Sequence, residues 1–194
     1  MMRCLSLVLA GLPLLAADYR IAPAPGAHFK LEVLKTGLLS GKIHVFVYEK
    51  YSGTLTYDPA RPEQTQVDFR IEANSIVCQD TWIGDKDKRK VTEVALETME
   101  ASRYPYLQFR STSVSKRENG KFEVQGMLTI KDISKPVSVT ASVQPEDGGW
   151  RIVGTSKVLR KDFKIDPRAA IPFGLVGNKE EMPVSFSLLA KPPQ

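Results

Sequence analysis

The sequence predicts an all-β domain of about eight antiparallel strands closed into a barrel, or packed as a sandwich, with one short amphipathic helix covering an end or seam. Three observations carry this. Apolar and polar residues alternate with period two along most of the chain, turn-forming residues separate the alternating runs, and one segment alone switches to a helical period. Alternation means one face packed and one face in water, the mark of antiparallel sheet. Closure into a barrel removes exposed edges, which suits a chain this rich in strands.

The first element is a leader. Met1-Met2-Arg3 gives a short positive start, residues 5–15 are apolar apart from Ser6, Gly11 and Pro13, and Ala16-Ala17 precedes the polar Asp18-Tyr19-Arg20. That order is the signature of a secretory signal peptide, and the apolar run is too short to span a bilayer as a helix. Cys4 precedes the run, whereas a lipoprotein signal places its cysteine directly after it. The expectation is a periplasmic or secreted protein with no stable membrane anchor: residues 1–17 are removed, and residues 18–194 form one domain.

The strands follow in order. Alternating runs occur at Phe29-Leu31-Val33, Tyr51-Gly53-Leu55-Tyr57, Val67-Phe69-Ile71 and Leu107-Phe109. They continue at Phe122-Val124-Gly126-Leu128-Ile130, Val137-Val139-Ala141-Val143, Trp150-Ile152 and Val184-Phe186-Leu188. Asp58-Pro59, Asn119-Gly120, Asp147-Gly148-Gly149 and Asp166-Pro167 supply turn chemistry between runs. Asn119-Gly120 between two alternating runs predicts a hairpin. Residues 86–102 are the exception: Val91, Val94, Ala95 and Met99 fall on helical spacing among lysines, arginines and glutamates. The helix starts near Asp85 or Asp87 and ends before Tyr104-Pro105.

Composition narrows the function. Of 194 residues 42% are hydrophobic and 25% charged, ordinary values for a globular protein, and the 177 left after leader removal make one domain that needs no staples. The formal net charge of +5 becomes +4 once Arg3 leaves with the leader. The sequence pI of about 9.2 favours anionic partners in principle. Basic residues are nevertheless interspersed with acids, as in Asp85-Lys86-Asp87-Lys88-Arg89-Lys90, so they read as solvated surface and no nucleic-acid partner is expected.

Catalytic signatures are missing: there is no G-x-S-x-G, H-E-x-x-H, G-x-G-x-x-G or phosphate-binding loop. The expectation is a protein that is not an enzyme and carries no cofactor. His28 and His44 are the two histidines, and Cys78 is the one cysteine beyond the leader. Together they have the ligand types of a zinc site, but nothing in their spacing brings them together, so no metal is expected. Cys78 reads as a small buried apolar side chain. Trp82, Trp150, Phe46, Phe69, Phe109, Phe122 and Phe186 are available to line the interior. They fill the core of a narrow barrel and line a ligand site in a wide one.

A family resemblance sharpens these expectations. The run Arg103-Tyr104-Pro105-Tyr106-Leu107-Gln108-Phe109-Arg110-Ser111-Thr112, followed by Gly126-Met127-Leu128-Thr129-Ile130 and Lys135-Pro136-Val137, resembles the pattern of the YceI-like family of secreted lipid-binding proteins. Ser52-Gly53-Thr54-Leu55-Thr56-Tyr57-Asp58-Pro59, Ser75-Ile76 and Lys161-Asp162-Phe163-Lys164-Ile165 extend the likeness, as do Val176-Gly177-Asn178 and Val184-Ser185-Phe186. Lys164 stands where the family has glycine. The charged segment over residues 87–104, together with His44, resembles a divergent branch.

The resemblance implies a lipocalin-like eight-stranded barrel whose apolar cavity holds an isoprenoid or another amphiphilic lipid in the periplasm. On this reading Phe46, Phe69, Trp82, Phe109, Phe122, Leu128 and Phe186 line the ligand site, and His44 meets the headgroup. Two rivals stay open: a filled barrel acting through its surface in adhesion or envelope stress, and a lipid-modifying enzyme that uses the cavity with His44 as its titrating group. A homodimer is compatible with the sequence and is not required by it.

Overall fold

The computed structural model describes residues 17–166 and 175–193. The leader lies outside them except for Ala17, and so does the proline of the turn expected at Asp166-Pro167. Twelve strands occur among the described residues: β1 (Ala17–Ala22), β2 (His28–Gly37), β3 (Ile43–Tyr48), β4 (Tyr51–Tyr57), β5 (Gln66–Glu72), β6 (Ile76–Cys78), β7 (Tyr106–Lys116), β8 (Lys121–Ile130), β9 (Ile133–Glu146), β10 (Gly149–Leu159), β11 (Val176–Asn178) and β12 (Glu181–Lys191). One α-helix, α1 (Asp85–Thr98), joins β6 to β7.

Eight strands close an antiparallel barrel in the order β1-β4-β5-β7-β8-β9-β10-β12, sealed by β1 pairing back onto β12. The seal has an unusual feature. One edge of β12 pairs with β2 through Val184, Ser185, Phe186 and Ser187, and then with β1 through Leu189, Ala190 and Lys191. β1 and β2 are thus successive halves of one interrupted strand. The same division repeats inward: β4 pairs with β1 and β3 with β2, then β5 pairs with β4 and β6 with β3. The halves β2-β3-β6 carry the sheet beyond the closed ring, and β11 adds to the far end of β2.

Eight strands were expected, and eight close the ring, but the membership differs by one. The alternating run at Phe29 is β2, in the extension, and the ring takes β1 instead. β1 offers only Tyr19 and Ile21 as inward apolar residues directly after the leader, too short a run to show a period.

The helix covers a seam, as expected. β6 is the outermost strand of the extension, and the backbone N–H of Cys78 donates to Thr92 Oγ1 on α1 at 3.0 Å. Val91, Ala95, Leu96 and Met99 pack against the core. Val94, expected on that face, is exposed instead. The core-facing stripe runs through half-buried positions 91 and 95 to buried Met99, with half-buried 92 and 96 beside them, and at 100° per residue position 94 falls on the opposite flank.

Turn chemistry fixes the hairpins. Asn119 and Gly120 both take positive φ (59° and 70°), and so do Asp147 and Gly148 (49° and 74°), where β9 and β10 join with Glu146 opposite Gly149. Paired positive φ values match the twist of the flanking strands and favour Asn or Asp followed by Gly. Ile21, Leu55, Ile71, Ile152 and Leu188, from five strands of the ring, belong to one core cluster.

Candidate functional site

The ring surrounds an apolar cavity of about 140 Å³. Inward residues of every ring strand line it, joined by Phe29 from β2. Of the residues expected to line a ligand site, Phe69, Phe109, Phe122, Leu128 and Phe186 line this cavity. Phe69 is buried, whereas the other four are half-buried although their strands point them inward. Phe29 links the rings: it stacks on Phe186 with centroids 6.0 Å apart and on Phe69 at 5.7 Å.

Three glycines on the inward face keep the rings against the wall. Gly53 lies across from Phe69 and Gly154 across from Phe186, while Gly126 sits diagonally beside Phe109. A Cβ at position 154 would stand 2.4 Å from Phe186 Cζ, and one at 126 would stand 2.4 Å from the Phe109 ring. Each ring therefore occupies the space that a side chain on the neighbouring strand would fill.

Few polar groups reach the cavity. Thr65, Gln108 and Ser156 contribute, and the Ser156 hydroxyl is already committed, donating to the Ser138 carbonyl at 2.7 Å. Beside Phe69, at 5.6 Å between ring centroids, lies Tyr51, whose buried hydroxyl has no hydrogen-bond partner among the described residues. Burial pushes that phenol above its ordinary pKa.

The other three expected residues lie elsewhere. Phe46, Trp82 and His44 do not line the cavity. His44 and Phe46 are on β3 and Trp82 follows β6, so all three belong to the extension beside α1 and outside the ring. Trp82 donates its indole N–H to the Ile43 carbonyl at 2.8 Å and lies 5.3 Å from the His44 ring. Trp150 packs edge-on against Tyr57 at 4.9 Å. His28 begins β2 opposite Ser187, exposed to solvent.

His44 has a different partner, one the sequence reading missed. Its Nδ1 lies 2.5 Å from Asp80 Oδ2, and Asp80 Oδ1 accepts the Val45 backbone N–H at 2.7 Å. Asp80 is 1% exposed. Cys78 lies beside the pair, its thiol pushed up to about 11 by burial first and also by the neighbouring Asp80 carboxylate. The register explains the meeting. Phe46 pairs with Cys78, so continuing the ladder by two residues sets His44 across from Asp80 on the same face. The patterns His-x-Phe and Cys-x-Asp on two adjacent strands were the available signal.

Comparison with known proteins fits this architecture. Residues 19–190 match the YceI-like domain. The chain belongs to the YceI-like family. A UPF0312 protein of Vibrio cholerae is 30% identical over 165 residues, covering 80% of this chain and 81% of that one. A UPF0312 protein of Shewanella denitrificans is 29% identical over 156 residues, covering 77% and 78%. Among solved structures, Burkholderia cenocepacia BcnA superposes with a TM-score of 0.68 at 20% identity over 84% of this chain and 96% of that one. The Campylobacter jejuni YCEI protein gives 0.56 at 21% identity, over 77% and 85%. The YceI-like barrel is thus shared even where little sequence is.

Proposed function

We propose that this YceI-like protein is a non-catalytic carrier or store, which holds an isoprenoid or similar amphiphilic lipid in its barrel within the periplasm after loss of the leader. The observation that carries the reading is the cavity: about 140 Å³ lined by Phe, Val, Leu and Ile side chains from all around the ring. A comparable apolar cavity of ~150 Å³ stays dry and takes up a benzene-sized guest. A longer chain enters by turning the Phe186, Phe29 and Phe69 rings, which close the lumen by stacking on one another. Each buried CH₂ then contributes roughly 0.8 kcal/mol, so apolar area supplies most of the affinity and few polar contacts are needed.

The test is mass spectrometry of organic extracts from the protein purified out of the periplasm without detergent. A stoichiometric isoprenoid or fatty lipid is the expected result, and Phe109→Asp should abolish its uptake while the exposed Lys116→Asp leaves it unchanged. No lipid bound, with no uptake of added lipid, would overturn the proposal in favour of a barrel that acts through its surface. Uptake undiminished in a folded Phe109→Asp protein would exclude the ring cavity as the site.

A further inference from the structure

Outside the lipid cavity, where β3 and β6 meet α1, a ring nitrogen of His44, the Sγ of Cys78 and a carboxylate oxygen of Asp80 lie within 4.8 Å of one another. We propose that these three side chains form a binding site for a single divalent transition metal of the zinc type. The donor set is the first argument. Thiolate, imidazole and carboxylate are the ligands zinc accepts in tetrahedral sites, and the mixture of sulfur and nitrogen disfavours calcium or magnesium.

Geometry is the second. Ligand atoms around a tetrahedral zinc stand roughly 3.3 to 3.8 Å apart, given bonds of about 2.0–2.3 Å. The three atoms need shifts of roughly 1 Å to meet that spacing. Their backbones are already fixed: β3 and β6 are paired, the Cys78 N–H is tied to Thr92, and the Val45 N–H holds Asp80 Oδ1. Such outer hydrogen bonds orient metal ligands before the ion arrives. Trp82 flanks the imidazole, and the His44 side chain keeps 13% of its surface in solvent, which leaves an open side for entry and for a water as fourth ligand.

Charge is the third. Cys78 and Asp80 are both buried. On binding, the Cys78 thiol gives its proton to solvent as the Sγ–metal bond forms, and the thiolate and carboxylate then neutralise the two charges of the ion. A buried unit of zero net charge avoids the penalty of an unpaired buried charge. Two lysines act on the cluster electrostatically: Lys35 on Asp80, with its ammonium turned to Asn178 Oδ1 at 2.9 Å, and Lys88 on Cys78.

Cobalt(II) is the probe. The reduced full-length chain carrying Cys4→Ala, stripped with chelator, is titrated with Co²⁺ and followed by absorption. Any thiolate-to-cobalt charge-transfer band then belongs to Cys78. The expected result is that band, saturating at one equivalent together with the visible spectrum of four-coordinate cobalt, and abolished by one equivalent of Zn²⁺. His44→Ala and Asp80→Asn should each weaken Co²⁺ binding by about tenfold or more. Absence of the band at millimolar Co²⁺ would overturn the site. So would a band of undiminished affinity in both variants with unchanged circular dichroism, since the cysteine would then be binding cobalt without its neighbours.

Discussion

Asp80 shows how a single residue can be hidden in a sequence and decisive in a structure. It sits two residues beyond β6 in what reads as a polar loop, yet it is among the most buried polar side chains described. Its place followed from the β3–β6 register, and the His-x-Phe and Cys-x-Asp patterns that fit that register could not show the two strands to be paired, because β6 is three residues long and too short to show alternation. Phe69, Phe109, Phe122, Leu128 and Phe186 were legible because each lies on a long alternating strand. Tyr51 makes a residue-scale prediction. Its hydroxyl is buried without a partner among the described residues, and such a group costs about 1–3 kcal/mol to desolvate. Tyr51→Phe keeps the ring against Phe69 and removes that cost, so thermal unfolding should show equal or greater stability, by up to about 1 kcal/mol. A loss of more than about 1 kcal/mol would mean the hydroxyl is satisfied.

At the scale of elements, the pairing of glycines with aromatic rings sets the width of the lumen. Gly154→Ala places a Cβ 2.4 Å from Phe186 Cζ and 2.9 Å from the Thr140 carbonyl oxygen. The ring has to swing toward the axis, at a cost of about 1–3 kcal/mol for overpacking. Lipid uptake should fall with it, and the second change Phe186→Leu should restore uptake by returning the lost space. Failure of the double variant to recover would separate the two positions. The short turn after β10 holds a second strained position, at Lys164. Lys164 has φ of 51°, in the left-handed region, at the position where the family pattern has glycine. That backbone costs a non-glycine residue roughly 1–2 kcal/mol, partly offset by the greater freedom of an unfolded glycine. Lys164→Gly should therefore leave stability unchanged or raise it by about 1 kcal/mol in a denaturant titration. β3 escaped the period for a related local reason: Val45 and Val47 are half-buried on its second face, opposite the buried Phe46 and Tyr48, so both faces are apolar and no alternation appears.

The whole molecule is held by the way β12 closes it. One strand pairs with β10 from Glu181 to Ala190, and with β1 and β2 in succession along its other edge. Period-two alternation marks eight of the twelve described strands and says nothing of which strands share an edge, so the closed barrel was legible and its division into ring and extension was not. That division separates two chemistries: the apolar cavity lies in the ring, and the polar cluster of His44, Cys78 and Asp80 lies in the extension. It also yields a prediction that tests barrel and cargo together. A ligand that binds the folded barrel alone stabilises it by RT ln(1 + [L]/Kd), about 2.7 kcal/mol when the lipid is at a hundred times its Kd. For a domain of this size, about 1 kcal/mol corresponds to roughly 2–4 °C, so the delipidated protein should gain roughly 5–11 °C in Tm on saturation with a short isoprenoid. Phe109→Asp should lose that gain while the wild-type barrel keeps it, because the charge occupies the cavity wall. A barrel whose rings stay locked in their stack would show the same Tm with and without lipid, and its function would then rest on its surface.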